Sequence, residues 1–308
     1  MEPADPLWRS RAPMTVLITD LDNTLYDWVT FFATSFQGMV ADLSLLLGVD
    51  SERLHDEFKV LHQRYGSSEQ PFTALDLPAV KERFGDAPRH ELMRLLDRPL
   101  HVFNSLRNKH LKLYDSVTET LEALQSAGIV LVGHTESTAE NAVFRLQKLN
   151  VIKYFKHLYV LDSDYHGHPD PQRASALAPS PGLVRTVPCS ERKPNPELLR
   201  DICRQEGVRS EDAYYVGDSL TRDISMAKAA GVTSVWAQYG TRYDRKLWNV
   251  LVRVTHWTAQ DVAREERLRR EFSQVEPDFT IESFSEILEI LGLPLQQQRV
   301  PGVARAAS

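Results

Sequence analysis

The sequence predicts an α/β fold, a doubly wound parallel sheet with a block of helices inserted near its start. Three observations carry this. Short β-rich runs at residues 15–19, 129–133, 158–161, 213–216 and 233–237 are apolar and mostly free of charge, as strands covered on both faces require. Helical patterns separate them, which is how parallel strands are joined. Polar motifs follow the first, second and fourth runs, at the sheet edge where open α/β sheets bind ligands.

The elements follow in order. Residues 1–13 hold Pro3, Asp5, Pro6, Arg9, Arg11 and Pro13 without an apolar core, so they read as a mobile segment rather than a secretory signal. The core opens over 14–27. Phe32, Phe36, Met39, Val40, Leu43 and Leu47 then recur at helical spacing, followed by Leu54, Phe58, Leu61 and Tyr65, and no strand alternation is evident to about residue 110. Residues 28–112 are therefore read as a helical cap packed over the sheet edge, and the core resumes over 113–292.

Within the resumed core, Ser116 and Glu119 stand at capping-box spacing, with Leu121 and Leu124 inside the helix and Gly128 closing it. Residues 164–190, rich in Pro, Ala, His and Ser, read as a long loop. His166 and His168 lack a third nearby ligand and read as solvated. Asn195 and Pro196 start a helix through Cys203, and another over 224–230 stops at Gly231. Mixed charges over about 258–273 read as an inserted, exposed helix, and 293–308 as a mobile tail.

The 308 residues carry a formal charge of −6 without a long block of either sign, which argues against nucleic acid or an anionic membrane as main partner. No run of about eighteen uncharged apolar residues suggests a membrane span. Cys189 and Cys203 lie outside any CxxC or Cys/His cluster, so neither a disulfide framework nor structural zinc is expected, and the cytoplasm is the expected compartment.

The chemistry starts at Asp20-Leu-Asp22-Asn-Thr-Leu-Tyr-Asp27, directly after the first strand. Two acids one residue apart repel each other and resist burial unless a cation or phosphoryl group draws on them. A plain Asp-Asn turn is the simpler alternative. Three further motifs speak against it: a strand ending in Thr135, the helix entrance Lys193-Pro-Asn-Pro, and the acidic loop Gly217-Asp-Ser-Leu-Thr-Arg-Asp223.

Phosphate-ester cleavage needs a nucleophile, a proton donor and positive charge around the phosphoryl oxygens. Asp20 can attack phosphorus, while Asp22 can protonate the leaving group and then activate water. Thr135 and Lys193 can hold the phosphoryl group. Asp20, Asp218 and Asp223 offer hard oxygens suited to Mg²⁺, with an outer-shell place for Asp223 as readily as a direct one. Asp27, His134, Glu136 and Arg222 are read as structural or specificity residues.

Taken in order, these motifs resemble the haloacid dehalogenase (HAD) superfamily, in the branch of phosphatases with a helical cap after the first motif. Asp20-Leu-Asp22-Asn-Thr-Leu looks like the first motif, Val130-Leu-Val-Gly-His-Thr135 the second, Lys193-Pro-Asn-Pro the third and Val216-Gly-Asp218-Ser-Leu-Thr-Arg-Asp223 the fourth. Residues 277–291 resemble the family's closing strand and helix. The resemblance implies a Rossmann-like core, Asp20 as nucleophile, Asp22 as acid/base, Thr135 and Lys193 as phosphoryl holders, and Asp20, the Asp22 carbonyl and Asp218 as Mg²⁺ ligands, with Asp223 orienting that shell. Glu136 departs from the pattern, where many relatives carry a small amide.

The expected activity is that of a Mg²⁺-dependent phosphatase acting on a small phosphorylated metabolite through an aspartyl-phosphate. A sugar phosphomutase using the same intermediate is the alternative. Asp22 argues against a 2-haloacid dehalogenase, because a halide leaves without a proton whereas an alkoxide needs one. A non-catalytic binding protein on the same fold ranks last.

Overall fold

The computed structural model describes residues 15–162, 182–272 and 274–293, and all structural statements concern these. Strand β1 (Val16–Thr19) is followed by α1 (Trp28–Leu47), α2 (Ser51–Tyr65), α3 (Pro78–Phe84), α4 (Arg89–Leu95), α5 (Asp97–His110) and α6 (Val117–Ser126). Next come β2 (Val130–Thr138), α7 (Ala139–Lys148), β3 (His157–Leu161), β4 (Val184–Val187) and α8 (Pro196–Glu206). The chain continues through β5 (Ala213–Gly217), α9 (Ser225–Ala230), β6 (Thr233–Ala237), α10 (Arg245–Val254), α11 (Ala259–Glu271), β7 (Phe279–Ile281) and α12 (Ile287–Ile290).

The described strands form one seven-stranded parallel sheet in the order β4-β3-β2-β1-β5-β6-β7. The fold is the expected Rossmann-like α/β one. The chain steps outward from β1 to β4 and then crosses back to β5, so the order reverses between β1 and β5, where such sheets open a crevice. Thr19 pairs with Val216, and the Asp20 amide donates to the Val216 carbonyl at 2.9 Å. The residues that leave β1 and β5 therefore emerge side by side.

Side chains alternate between the two faces along the strands, and both faces are covered, so burial is nearly continuous in β1 and β5. Val16, Ile18 and Tyr215 pack with Leu199 and Ile202 of α8 and Met226 of α9. Leu17, Leu131 and Val216 turn to the other face, where one continuous core also takes in Leu121 of α6, Leu146 of α7 and the apolar side of α1. Uninterrupted apolar runs are the sequence trace of this double cover.

The segment between β1 and β2 is helical. Asp27 caps α1, accepting from the Thr30 amide at 2.9 Å, which gives this acid the structural place expected of it. With 20 residues and a mean hydropathy of 1.3, α1 is long and apolar enough to cross a membrane. Its Phe32, Phe36, Met39 and Leu43 are instead buried in the protein core, and the helix packs along α5 and against α2 and α10. His62 of α2 is buried, with Nδ1 2.6 Å from the Val254 carbonyl at the end of α10, and Gln63 donates to the Trp257 carbonyl at 3.0 Å.

Several local expectations are corrected. Thr135 does not end a strand: β2 runs to Thr138, and its register with β3 shifts after His134, so Thr135 sits at an irregularity inside it. Ser116 and Glu119 make no capping box. Ser116 has a left-handed backbone (φ 65°) and its hydroxyl pairs with that of Ser283 at 3.2 Å. The expected loop 164–190 contains β4, whose Val184-Arg-Thr-Val sequence is too short and too polar to stand out at a sheet edge. A π turn over Leu220–Ile224 precedes α9, carrying the chain from the acidic loop into the helix. Residues 1–13, 164–181 with His166 and His168, and 294–308 lie outside the described residues.

Candidate active site

Motif one leaves β1 in a tight reversal. The Asn23 amide donates to the Tyr26 carbonyl at 2.9 Å, and Asn23 itself has φ 58°, a left-handed value that Asn tolerates. Its side-chain oxygen accepts from the Trp28 amide at 3.1 Å, tying the turn to the start of α1. Leu21 enters the core, and the acids on either side of it are held by different elements.

Asp20 is buried beside the acidic loop. Its Oδ1 accepts from Lys193 Nζ at 2.5 Å and its Oδ2 from the Thr24 hydroxyl at 3.2 Å. Lys193, in the loop before α8, also donates to Asp223 Oδ1 at 2.9 Å. Asp223 takes a further bond from the Tyr215 hydroxyl at 3.2 Å and from the Ser219 amide at 3.1 Å. Arg264 of α11 donates to the Lys193 carbonyl at 3.0 Å, so the helix near the chain's end steadies the lysine's loop.

Asp20, Asp218 and Asp223 each place a carboxylate oxygen within 4.8 Å of the others. Burial, the largest influence, pushes the Asp20 carboxyl up to about 7 against the pull of Lys193, while Asp223 and Asp22 add to the rise. Burial and then the charges of Asp20 and Asp223 hold Asp218 well above the carboxylate range. Burial works against the Lys193 charge too, yet Asp20 and Asp223 keep it an ammonium ion. Ionised together, the three acids would outnumber the one ammonium, which is why burial and mutual repulsion raise Asp20 and Asp218. Hard oxygen donors so arranged fit a divalent cation such as Mg²⁺, which would favour their charged forms.

Asp22 stands apart from this cluster. Its Oδ1 accepts from Arg145 Nη1 at 2.6 Å and its Oδ2 from the Ser137 hydroxyl at 2.9 Å. Thr135 Oγ1, buried, accepts from the Ser137 amide at 3.1 Å, which leaves its own proton to donate. Each carboxylate oxygen offers about two acceptor sites, so Asp22, whose side chain is 24% exposed, keeps capacity toward the cleft.

The second motif's departure is compensated locally. Glu136 pairs with Arg222 of the acidic loop at 2.7 Å, and the Arg222 guanidinium lies over the Trp257 ring at 4.9 Å. His134 is buried edge-on to Tyr215, and burial followed by the Lys193 charge keeps it neutral. From β6 the Trp236 indole donates to the Asp218 carbonyl at 2.8 Å, and just after it the Tyr239 hydroxyl donates to the Thr24 carbonyl at 2.6 Å. These contacts brace the acidic loop and motif one from outside.

The structure brings Asp20, Lys193, Asp218 and Asp223 into one cluster and sets Asp22 beside Ser137 and Arg145. Arg145, Ser137 and Glu69 were missed in the sequence. Arg145 lies among the buried Ala142, Val143 and Leu146 of α7, and a charge on an apolar helical face is the signal that marks it.

A model of haloacid dehalogenase-like hydrolases matches residues 14–231, well over half of the chain. The chain belongs to that family. A second model, HAD-hydrolase-like, matches residues 190–287 of this HAD hydrolase. The glyceraldehyde 3-phosphate phosphatase of Methanopyrus kandleri is 23% identical over 231 residues, 74% of this chain and 85% of that protein. The phosphoglycolate phosphatase of Salmonella typhimurium is 27% identical over 218 residues, 70% of this chain but only 65% of that protein's length. The crystal structure of a 2-haloacid dehalogenase from Pseudomonas syringae pv. tomato superposes with a TM-score of 0.51 at 20% identity, covering 91% of this chain and 98% of that one, a likeness of fold.

Proposed function

We propose that this HAD hydrolase is a Mg²⁺-dependent phosphatase that cleaves a small phosphorylated metabolite through an aspartyl-phosphate. The observation that carries the reading is the separation of the two acids of motif one. Asp20 lies against Lys193 among the acidic cluster, and Asp22 is held outside it by Ser137 and Arg145. A dehalogenation would need only the first acid. An ester whose alkoxide must be protonated needs both.

In this reading the Asp20 carboxylate attacks phosphorus, the bond from phosphorus to the ester oxygen breaks, and Asp22 gives that oxygen a proton. Asp22 then takes a proton from water, which attacks the acyl phosphate to release phosphate and restore Asp20. Lys193 and the Thr135 hydroxyl hold phosphoryl oxygens. Asp20, the Asp22 carbonyl and Asp218 would hold Mg²⁺, with Asp223 fixing Lys193 beside them; the ion offsets phosphoryl charge. The helical segment 28–112 acts as a cap that screens substrates, and the free thiols Cys189 and Cys203 suit a cytoplasmic setting.

The names of the two similar phosphatases make phosphoglycolate and glyceraldehyde 3-phosphate the first compounds to screen. The test is phosphate release from 4-nitrophenyl phosphate with and without Mg²⁺. Metal-dependent release by the natural protein is expected. Chelator-resistant halide release from a 2-haloacid, with no phosphate release, would overturn the reading in favour of a dehalogenase.

A further inference from the structure

Asp22 is fixed by groups that neither attack nor bind a phosphoryl group. Arg145 is only 1% exposed, and its guanidinium lies near the rings of Phe31 and Tyr26, at 5.5 and 5.9 Å. Nη1 donates to Asp22 at 2.6 Å and also reaches the Ser137 hydroxyl at 3.1 Å and the Tyr26 hydroxyl at 3.4 Å. Nη2 forms an ion pair with Glu69. Glu69 belongs to the helical segment, in the stretch after α2, and its other oxygen accepts from the Trp28 indole at 2.9 Å. Two carboxylates from distant parts of the chain thus share the two ends of one planar fork.

A buried charge bridging two acids is an expensive way to fill space, because each group must leave water. It gives orientation in return. Asp22 is held at both oxygens, and the group that holds Oδ1 is itself held by a third, the arrangement by which catalytic acids and bases are aimed. Lysine cannot imitate it, since a point charge does not bridge two carboxylates in a fixed plane.

We propose that Arg145 is a positioning residue that aims Asp22 at the leaving group, and that Glu69 makes this aim depend on the helical segment being seated against the core. The inference rests on the reading of Asp22 as proton donor. It adds the device that aligns the acid and names the contact through which the helical segment reaches it.

The experiment measures kcat/KM for phenyl, 4-nitrophenyl and 2,4-dinitrophenyl phosphates in the wild type, Asp22→Asn, Arg145→Lys and Glu69→Gln. The better the leaving group, the less it needs a proton. Glu69→Gln keeps an acceptor for Trp28 and removes only the charge, so it serves even where Arg145→Lys folds poorly. The expected result is a rate that falls more steeply with leaving-group basicity, so that the ratio of phenyl to 2,4-dinitrophenyl rates drops about tenfold or more in Asp22→Asn and in the same direction in the other two variants. If Asp22→Asn steepens the series while Arg145→Lys and Glu69→Gln run parallel to the wild type, the positioning role is overturned and the proton donor stands. If Asp22→Asn also runs parallel, the proton-donor reading falls and takes this inference with it.

Discussion

Asp20 and Asp22 are neighbours in sequence with different surroundings, because β5 and the Lys193 loop hold one while β2 and α7 hold the other. Asp20→Asn should keep the fold, since Lys193 retains Asp223 as partner, and should lower phosphate release by at least about 10³-fold. Comparable slow release from both proteins would remove Asp20 as nucleophile. Asp218→Asn addresses the cation instead. At Mg²⁺ about a hundredfold above its Kd, bound metal should stabilise the wild type by about 2.7 kcal/mol, and the variant should lose most of that gain. Matching Mg²⁺-induced shifts in melting temperature would reject Asp218 as a ligand. The motif acids were readable in the sequence because phosphoryl chemistry restricts which residue types can follow a strand end. Arg145 was not, since its partners Asp22 and Glu69 meet it only through the fold: Asp22 lies 123 residues away.

Between elements, two contacts are open to test. His62 of α2 is buried against Phe36 and Phe58 and meets the Val254 carbonyl. Burial lowers its pKa from 6.5 to about 4, despite the opposing carbonyl contact. Above 6.5 the ring is neutral both folded and unfolded, so it adds no pH dependence. As the pH falls from 6.5 toward 4 the unfolded chain takes up a proton that the folded one refuses, and stability is lost, by about 2 kcal/mol near pH 5. Urea midpoints across this range should show the slope, and His62→Gln should flatten it; identical slopes would remove His62 as its source. The second contact is Gly240, after β6. A Cβ there would come within 1.9 Å of the Asn23 carbonyl oxygen and 2.9 Å of Asp218 Cβ. Gly240→Ala should cost about 1–3 kcal/mol and depress turnover by displacing motif one or the acidic loop. Wild-type stability and rate in that variant would show that the backbone yields freely. The helix start at Asn195 was legible from its capping residue, whereas the helix after Thr258 was legible only from its mixed charges and its capping box was not. Ser116 misled, because capping-box spacing says nothing of a left-handed backbone tied to Ser283.

For the molecule as a whole, the central strands were the legible part of the sheet, since cover on both faces leaves an apolar run. The edge strands were not. β4 is mostly half-exposed and β7 exposes Phe279 and Thr280, so neither shows an apolar signature, and β7 was expected only from the family's closing strand. Chelation tests the assembled site. Removing divalent cations should abolish phosphate release and lower the melting temperature of the wild type together, while unchanged activity in excess chelator would exclude the metal.

The crossing of the chain from β4 back to β5 has a consequence for synthesis. Asp20 emerges from the ribosome about two hundred residues before its partners on the Lys193 and Asp218 loops. Until β5 arrives, β1 has β2 as its sole neighbour and presents its other side as a bare sheet margin. An interrupted chain that stops at β3 therefore contains both acids of motif one, has no acidic cluster with which to act, and exposes β1, an uncharged apolar strand, as a sheet margin able to pair with another copy. For a nascent chain of this topology, the hazard of arrest is aggregation rather than premature hydrolysis.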